Sequence, residues 1–177
     1  LIVGLAPGMH GANRSGRPFT GDFAGLLLYE TLFELGLATR ATSVALDDGL
    51  ELKGVRITNA VKCVPPQNKP TPAEIRSCNG YLATELGALD SVRAILALGR
   101  VAHDSVLMAL GMSRTANAFA HGAVHELSNG SGSSARTLID SYHCSRYNTQ
   151  TRRLTTTMFR DVMRVAASRA GLSPTGQ

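Results

Sequence analysis

Cysteine is scarce in this chain, with three in 177 residues. So sparse and odd a set gives no disulfide framework and points to a reducing compartment. Also missing is any apolar run of membrane-spanning length, since Leu26-Leu27-Leu28 passes directly into Tyr29-Glu30. The Gly-Lys-Ser/Thr of a P-loop is absent, as are the GxGxxG of dinucleotide sites and the GxSxG elbow of α/β hydrolases. Those gaps argue against the commonest phosphate-binding, dinucleotide-binding and esterase readings. No internal repeat divides the chain. Charge is modest too: 18 Lys and Arg against 13 Asp and Glu leave +5. That suits a polyanionic partner without requiring one. What is present, 44% hydrophobic and 18% charged residues, is enough to build one ordinary globular domain.

Apolar runs alternate in type along the chain. Residues 1–6 read as a short buried strand ending at Pro7-Gly8. From Asp22 the pattern turns helical, with Phe23, Leu26, Leu27, Phe33 and Leu37 expected on one apolar face, closing near Gly36. Residues 55–61 form the next strand, and Thr71-Pro72-Ala73-Glu74 opens a helix through about Leu86. A strand over 92–98 leads through Gly99 to a helix over 101–110. Residues 124–127 and 136–139 flank Ser128-Asn129-Gly130-Ser131-Gly132-Ser133-Ser134, a low-complexity hairpin loop. Leu154, Met158, Val162, Val165 and Ala166 space one face of a last helix. Strands alternating with helices predict a parallel sheet covered on both sides.

Three segments break out of strand ends into Gly, Pro, Asn and basic residues, as ligand loops do. The first is Gly4-Leu5-Ala6-Pro7-Gly8-Met9-His10-Gly11-Ala12-Asn13-Arg14-Ser15-Gly16-Arg17-Pro18-Phe19-Thr20-Gly21-Asp22. The second runs from Thr58-Asn59 through Lys62-Cys63 to Lys69-Pro70. The third is Asp140-Ser141-Tyr142-His143-Cys144-Ser145-Arg146-Tyr147-Asn148-Thr149-Gln150. Together, from Gly4 to about Thr155, they closely resemble the uracil-DNA glycosylase superfamily, specifically its family 5 (type b) enzymes. The first segment is close to that family's GLAPxxHGANRTGRxFTGD and the third to SYHVSRQNTQ. Family 4 carries acids where this chain has Leu5 and Met9, which separates the two groups.

The resemblance implies a three-layer α/β/α fold around a central, mainly parallel four-stranded sheet, with residues 1–177 forming one domain. It implies that main-chain groups at Gly8, Met9 and His10 contact the base and that Phe19 stacks on it. Asp22 would position or activate water, while its place at a helix entrance also suits an N-cap; both roles can coexist. Asn59 would pair with the O4 and N3–H edge of uracil, a pattern that cytosine reverses. His143 would stabilise the departing base anion. Asn13, Arg14, Arg17, Ser145, Arg146, Tyr147 and Asn148 would contact DNA, with Tyr147 filling the gap left by a flipped nucleotide.

By the same resemblance, Cys63 and Cys78 are half the ligand set of a [4Fe–4S] cluster, which takes four thiolates. The start at Leu1 suggests an upstream segment that would supply the other two; the alternative is a protein without the cluster. The implied activity is monofunctional hydrolysis of the N-glycosidic bond of uracil, and of other deaminated bases such as hypoxanthine, at the start of base excision repair. Its partner is damaged DNA, its state monomeric, with no membrane contact, and its place the prokaryotic cytoplasm at the nucleoid. The rival from another class is a damaged-DNA or abasic-site binding module of the same fold without turnover. A hydrolase or phosphate-binding enzyme unrelated to DNA is a further alternative, disfavoured by the missing motifs.

Overall fold

The computed structural model describes residues 1–127 and 135–173. Five short strands order as β2-β1-β3-β5-β4: β1 (Ile2–Gly4), β2 (Ile57–Asn59), β3 (Ala94–Leu98), β4 (Val124–Leu127) and β5 (Arg136–Ser141). The first, second, third and fifth pair in parallel, as the mainly parallel four-stranded expectation requires. A fifth strand, β4, adds an antiparallel edge against β5. The expected loop joining those two, residues 128–134, lies outside the described residues.

Side-chain alternation along the strands sorts the core into two sheets of packing. Ile2, Leu96, Leu98 and Ile139 face helices α2 (Phe23–Glu34) and α6 (Thr156–Arg169). Val3, Ile95, Ala97 and Leu138 face α3 (Pro72–Ala88) and α4 (Arg100–Ala109). The result is the predicted three-layer α/β/α arrangement. At α3 the sequence signal is literal: Thr71 Oγ1 accepts from the Glu74 N–H at 3.3 Å, and Glu74 returns a carboxylate oxygen to the Thr71 N–H at 2.6 Å.

The expected face of α2 is corrected. Ala24, Leu27, Leu28, Thr31 and Leu32 are buried, whereas Leu26 is 56% exposed and Phe23 and Phe33 also reach the surface. A helix this apolar all round gives little amphipathic contrast, so sequence alone does not fix which stripe turns inward. In α6 the stripe is Phe159, Val162, Met163, Ala166 and Ala167, with Val165 outside it.

Order 2-1-3 means that the chain leaves β1 in one direction and returns to its other side. The crevice beyond the carboxyl ends of the parallel strands lies at this switch point. Gly4 and Asn59 are paired in register there, and Ser141 lies across from Leu98. All three loop segments therefore emerge at one end of the sheet.

Candidate active site

A cavity of about 460 Å³ opens at that end, lined among others by Gly8, Phe19, Asp22, Asn59, His143 and Arg146. Residues from three separate strand ends meet in it. Gly4 makes the meeting possible. A Cβ there would stand 2.5 Å from Asn59 Oδ1 and 2.7 Å from the tip of the Phe19 ring, closer than side-chain packing permits.

Asn59 ends β2 and is 8% exposed. Its Oδ1 is buried and finds no hydrogen-bond partner among the described residues. Buried amide oxygens are nearly always satisfied, so an unpartnered one on a residue that lines a cavity marks Asn59 as a candidate for ligand contact. Phe19 is held with φ at +61°, an unfavourable setting for a bulky residue. Tyr29 Oη donates to the adjacent Pro18 carbonyl at 2.6 Å, and Gly25 leaves room for the Phe19 carbonyl where any Cβ would collide. The turn thus fixes one aromatic face on the cavity wall, its ring centroid 6.0 Å from that of His143.

His143 follows β5 and is seated by its surroundings. Its Cβ lies 3.5 Å from where a Cβ of Gly99 would be, and its carbonyl accepts from Asn148 Nδ2 at 2.8 Å. Burial lowers the imidazole from its ordinary 6.5 to about 4, so the ring is neutral at physiological pH. A neutral imidazole donates one N–H without carrying a charge into an apolar wall. Neighbouring Cys144 points into the core and burial pushes its thiol up to about 12. It is no nucleophile.

Asp22 occupies the N-cap position of α2, but its side chain makes no cap hydrogen bond. The carboxylate instead lies over Gly8 and Gly11, where added Cβ atoms would overlap it. Burial raises its pKa, opposed by His10. Of the two roles legible in sequence, the geometry favours the cavity-facing one.

Met9 and His10 are exposed and do not line the cavity, unlike Gly8. Arg146, which lines the cavity, is exposed and lies 4.8 Å over the Phe23 ring; Arg14 is exposed and Tyr147 is 70% exposed. Asn13 is exposed on the short helix α1 (Ala12–Ser15). Ser145 caps α5 (Arg146–Gln150) by accepting from the Asn148 N–H at 3.4 Å. Asn148 braces the loop, since one N–H of its amide is donated to the His143 carbonyl.

Arg17 is engaged within the fold: its guanidinium bonds Asp48 at 2.7 Å, Ser43 at 2.9 Å and the Leu46 carbonyl at 2.6 Å, and its side chain is only 14% exposed. Burial opposes ionisation of Asp48, yet Arg17 and the N–H groups of Val44, Leu50 and Ala45 hold that carboxyl well below the usual range. Arg17→Ala is expected to cost about 3 kcal/mol by removing the only side-chain cation paired with Asp48 among the described residues. Denaturant unfolding measures that loss, and the salt dependence of DNA binding should stay at the wild-type slope.

Other basic side chains also have partners within the fold. Lys62 pairs with Glu85 at 2.9 Å and Arg160 with Glu34 at 2.7 Å. Arg153 is exposed and stacks 4.6 Å over Tyr142. Cys63 is exposed beyond β2, while Cys78 is buried on α3. With Cys144 in the core, two thiols remain for any metal cluster, half of a four-thiolate set. Sequence reading missed a buried group altogether: His103, His125 and Asp140, interlinked beneath the loop that carries His143.

The sequence matches the family profile described as the uracil DNA glycosylase superfamily over residues 1–167. A type-5 uracil-DNA glycosylase of Thermus thermophilus is 50% identical over 97% of this chain and 76% of its own length. One from Mycobacterium tuberculosis is 46% identical over 97% of this chain and 63% of its own length. A type-4 uracil-DNA glycosylase of Pyrobaculum aerophilum is 38% identical over 63% of this chain and 49% of its own length.

Proposed function

We propose, for a chain that belongs to the uracil DNA glycosylase superfamily and within it groups with type-5 enzymes, that it hydrolyses the N-glycosidic bond of uracil in DNA. The observation that carries this reading is that Asn59, whose buried Oδ1 has no hydrogen-bond partner among the described residues, lines one cavity together with a neutral His143.

A nucleotide flipped into the cavity lays its base on Phe19. Asn59 accepts from uracil N3–H through Oδ1 and donates to O4 through Nδ2. His143 donates to O2 as negative charge gathers on the leaving base, and a fixed donor is most effective where that charge develops. Asp22, more basic than a solvated carboxylate, orients water toward C1′. The bond between C1′ and the base nitrogen breaks with its electron pair on the base, the water oxygen joins C1′ as one water proton passes to Asp22, and the strand keeps its phosphodiester bonds. Arg14 and Arg146 meet phosphates, and Tyr147 enters the opened stack.

Hypoxanthine presents the same N–H and carbonyl side by side, so Asn59 accepts it as it accepts uracil. Cytosine and adenine reverse the pattern. Chromatography of free bases released from duplexes carrying one uracil, hypoxanthine, cytosine or adenine tests this. Release of the first two alone is expected, and release of cytosine at a comparable rate would overturn the Asn59 assignment.

Cys63 and Cys78 are proposed to supply two of the thiolates of an iron–sulfur cluster. Such a cluster would tie the 60–71 loop to α3, and no catalytic step passes through it. The protein is proposed to act as a monomer on nucleoid DNA in the cytoplasm; among the described residues no helix is long and apolar enough to cross a membrane.

Protonation supplies a further expectation. The unfolded chain binds a proton at residue 143 below its ordinary 6.5, while the folded chain refuses it until about 4. Stability therefore falls as pH drops through that window, by about 3 kcal/mol in all from this group. His143→Gln should remove that part of the acid sensitivity in thermal unfolding measured from pH 7 to pH 4.

A further inference from the structure

We propose that Asp140, His103 and His125 form a buried, charge-paired support that sets the position of His143, with His103 held as an imidazolium. The proposal rests on the glycosylase reading of His143 and adds positioning residues to it.

Hydrogen-bond inventory points to the charge state. His103 Nε2 lies 2.9 Å from the Asn117 carbonyl, which can only accept, so Nε2 carries a proton. His103 Nδ1 lies 2.7 Å from Asp140 Oδ1. The other oxygen, Oδ2, accepts from His125 Nε2 at 3.0 Å and from the Ala120 N–H at 3.4 Å. A carboxylate oxygen can only accept, so the 2.7 Å contact places the Nδ1 proton on His103. Burial is the largest single influence and works against charge on His103, but the Asp140 bond and charge, the Asn117 carbonyl and Asp104 together outweigh it and raise the imidazole pKa. The groups facing His103 are Asp140 from β5, His125 from β4, Asp104 on α4 and the Phe119 ring at its edge. His103, His125 and Asp140 bring their ligand-type atoms within 4.8 Å of one another, yet both carboxylate oxygens are already occupied by N–H donors.

Connectivity carries the effect to the site. The His103 N–H donates to the Gly99 carbonyl at 3.1 Å, closing the first turn of α4. Gly99 N–H donates to the Ser141 carbonyl at 2.7 Å, and Gly99 abuts His143 Cβ. Asp140 is the residue before Ser141. Side-chain and main-chain bonds thus form a closed ring, Gly99–His103–Asp140–Ser141, on which His143 sits. On its far side, the Asp140 carbonyl accepts from Gly122 N–H at 2.8 Å, and His121 Nδ1 accepts from the Tyr142 N–H at 3.1 Å. A shift at Asp140 has no slack to be absorbed before it reaches residue 143.

The test combines a spectrum with rates. At pH 7, nitrogen-15 NMR of the wild-type protein is expected to show both His103 ring nitrogens protonated. A singly protonated His103 would overturn the charge assignment whatever the variants do. Asp140→Asn is expected to slow single-turnover uracil release by about 10–100-fold through misplacement of His143. Binding of an uncleavable uracil-analogue duplex should stay within about threefold, and the His143 ring signals should move. Should that variant fail to fold, His125→Leu is expected to lose rate and His125→Gln, which keeps a donor to Oδ2, to restore it. Wild-type rates and unmoved His143 signals in the folded variants would sink the proposal, whereas a wild type that releases no base would instead sink the glycosylase reading.

Discussion

Uracil release by His143→Ala is expected to be about 10²–10³-fold slower than by the wild type, because removal of one preorganised donor from a developing anion has that effect. The loss should appear in the single-turnover rate and not in affinity for duplex DNA. On the proposed mechanism, His143 would make its contribution as charge moves onto the base, and little before. A neutral ring suits the work: at about 4 the imidazole is already unprotonated at working pH, so its N–H is a fixed dipole and not a titrating acid. Excision should consequently show no inflection from His143 between pH 5 and pH 8. Stopped reactions at saturating protein, followed by strand cleavage in alkali, read the rate directly. A variant within fivefold of wild type would remove His143 from the chemistry.

Asn59→Ala should separate function from stability in opposite directions. The native Oδ1 is buried without a partner among the described residues. Truncation abolishes that unsatisfied oxygen, and the folded protein is expected to be equally stable or steadier by about 1 kcal/mol. Excision should nonetheless fall by about 10²–10³-fold, since both bonds to the base edge disappear. A core asparagine would behave otherwise, losing stability with activity. Paired urea unfolding and single-turnover measurements distinguish the two. Loss of stability together with full activity would make Asn59 structural. A residue whose best partner is the substrate is expected to be a local liability to the fold.

Strand ends were the most legible part of this chain. Short apolar runs ending in Gly, Pro or Asn located β1, β2, β3 and β5, and parallel pairing then gathers their ends without further information. Hence the strand ends that carry Asn59 and His143 were placed from sequence, as was the cap at Thr71, while the roles proposed for those two side chains rest on the family resemblance. Asp22 was half legible: a helix entrance is visible in sequence, but only geometry shows that the carboxylate lies over Gly8 and Gly11 and not on a cap N–H. Long-range pairing left no local trace. Arg17 carries no local sign that Asp48, 31 positions away, holds it. His103, His125 and Asp140 come from three elements and share no spacing, so no motif joins them before the sheet does. The α2 stripe was misread because apolar residues surround that helix on every side.

The most direct test is incubation of the purified protein with labelled duplexes that hold either one uracil or one cytosine at the same position, with and without subsequent alkali. A break at uracil only, and only after alkali, is the expected result: base removed, strand intact, an abasic site left behind. Duplex bound but unbroken after alkali, by protein whose fold is verified, would contradict a hydrolytic site and leave a damage-binding module in its place.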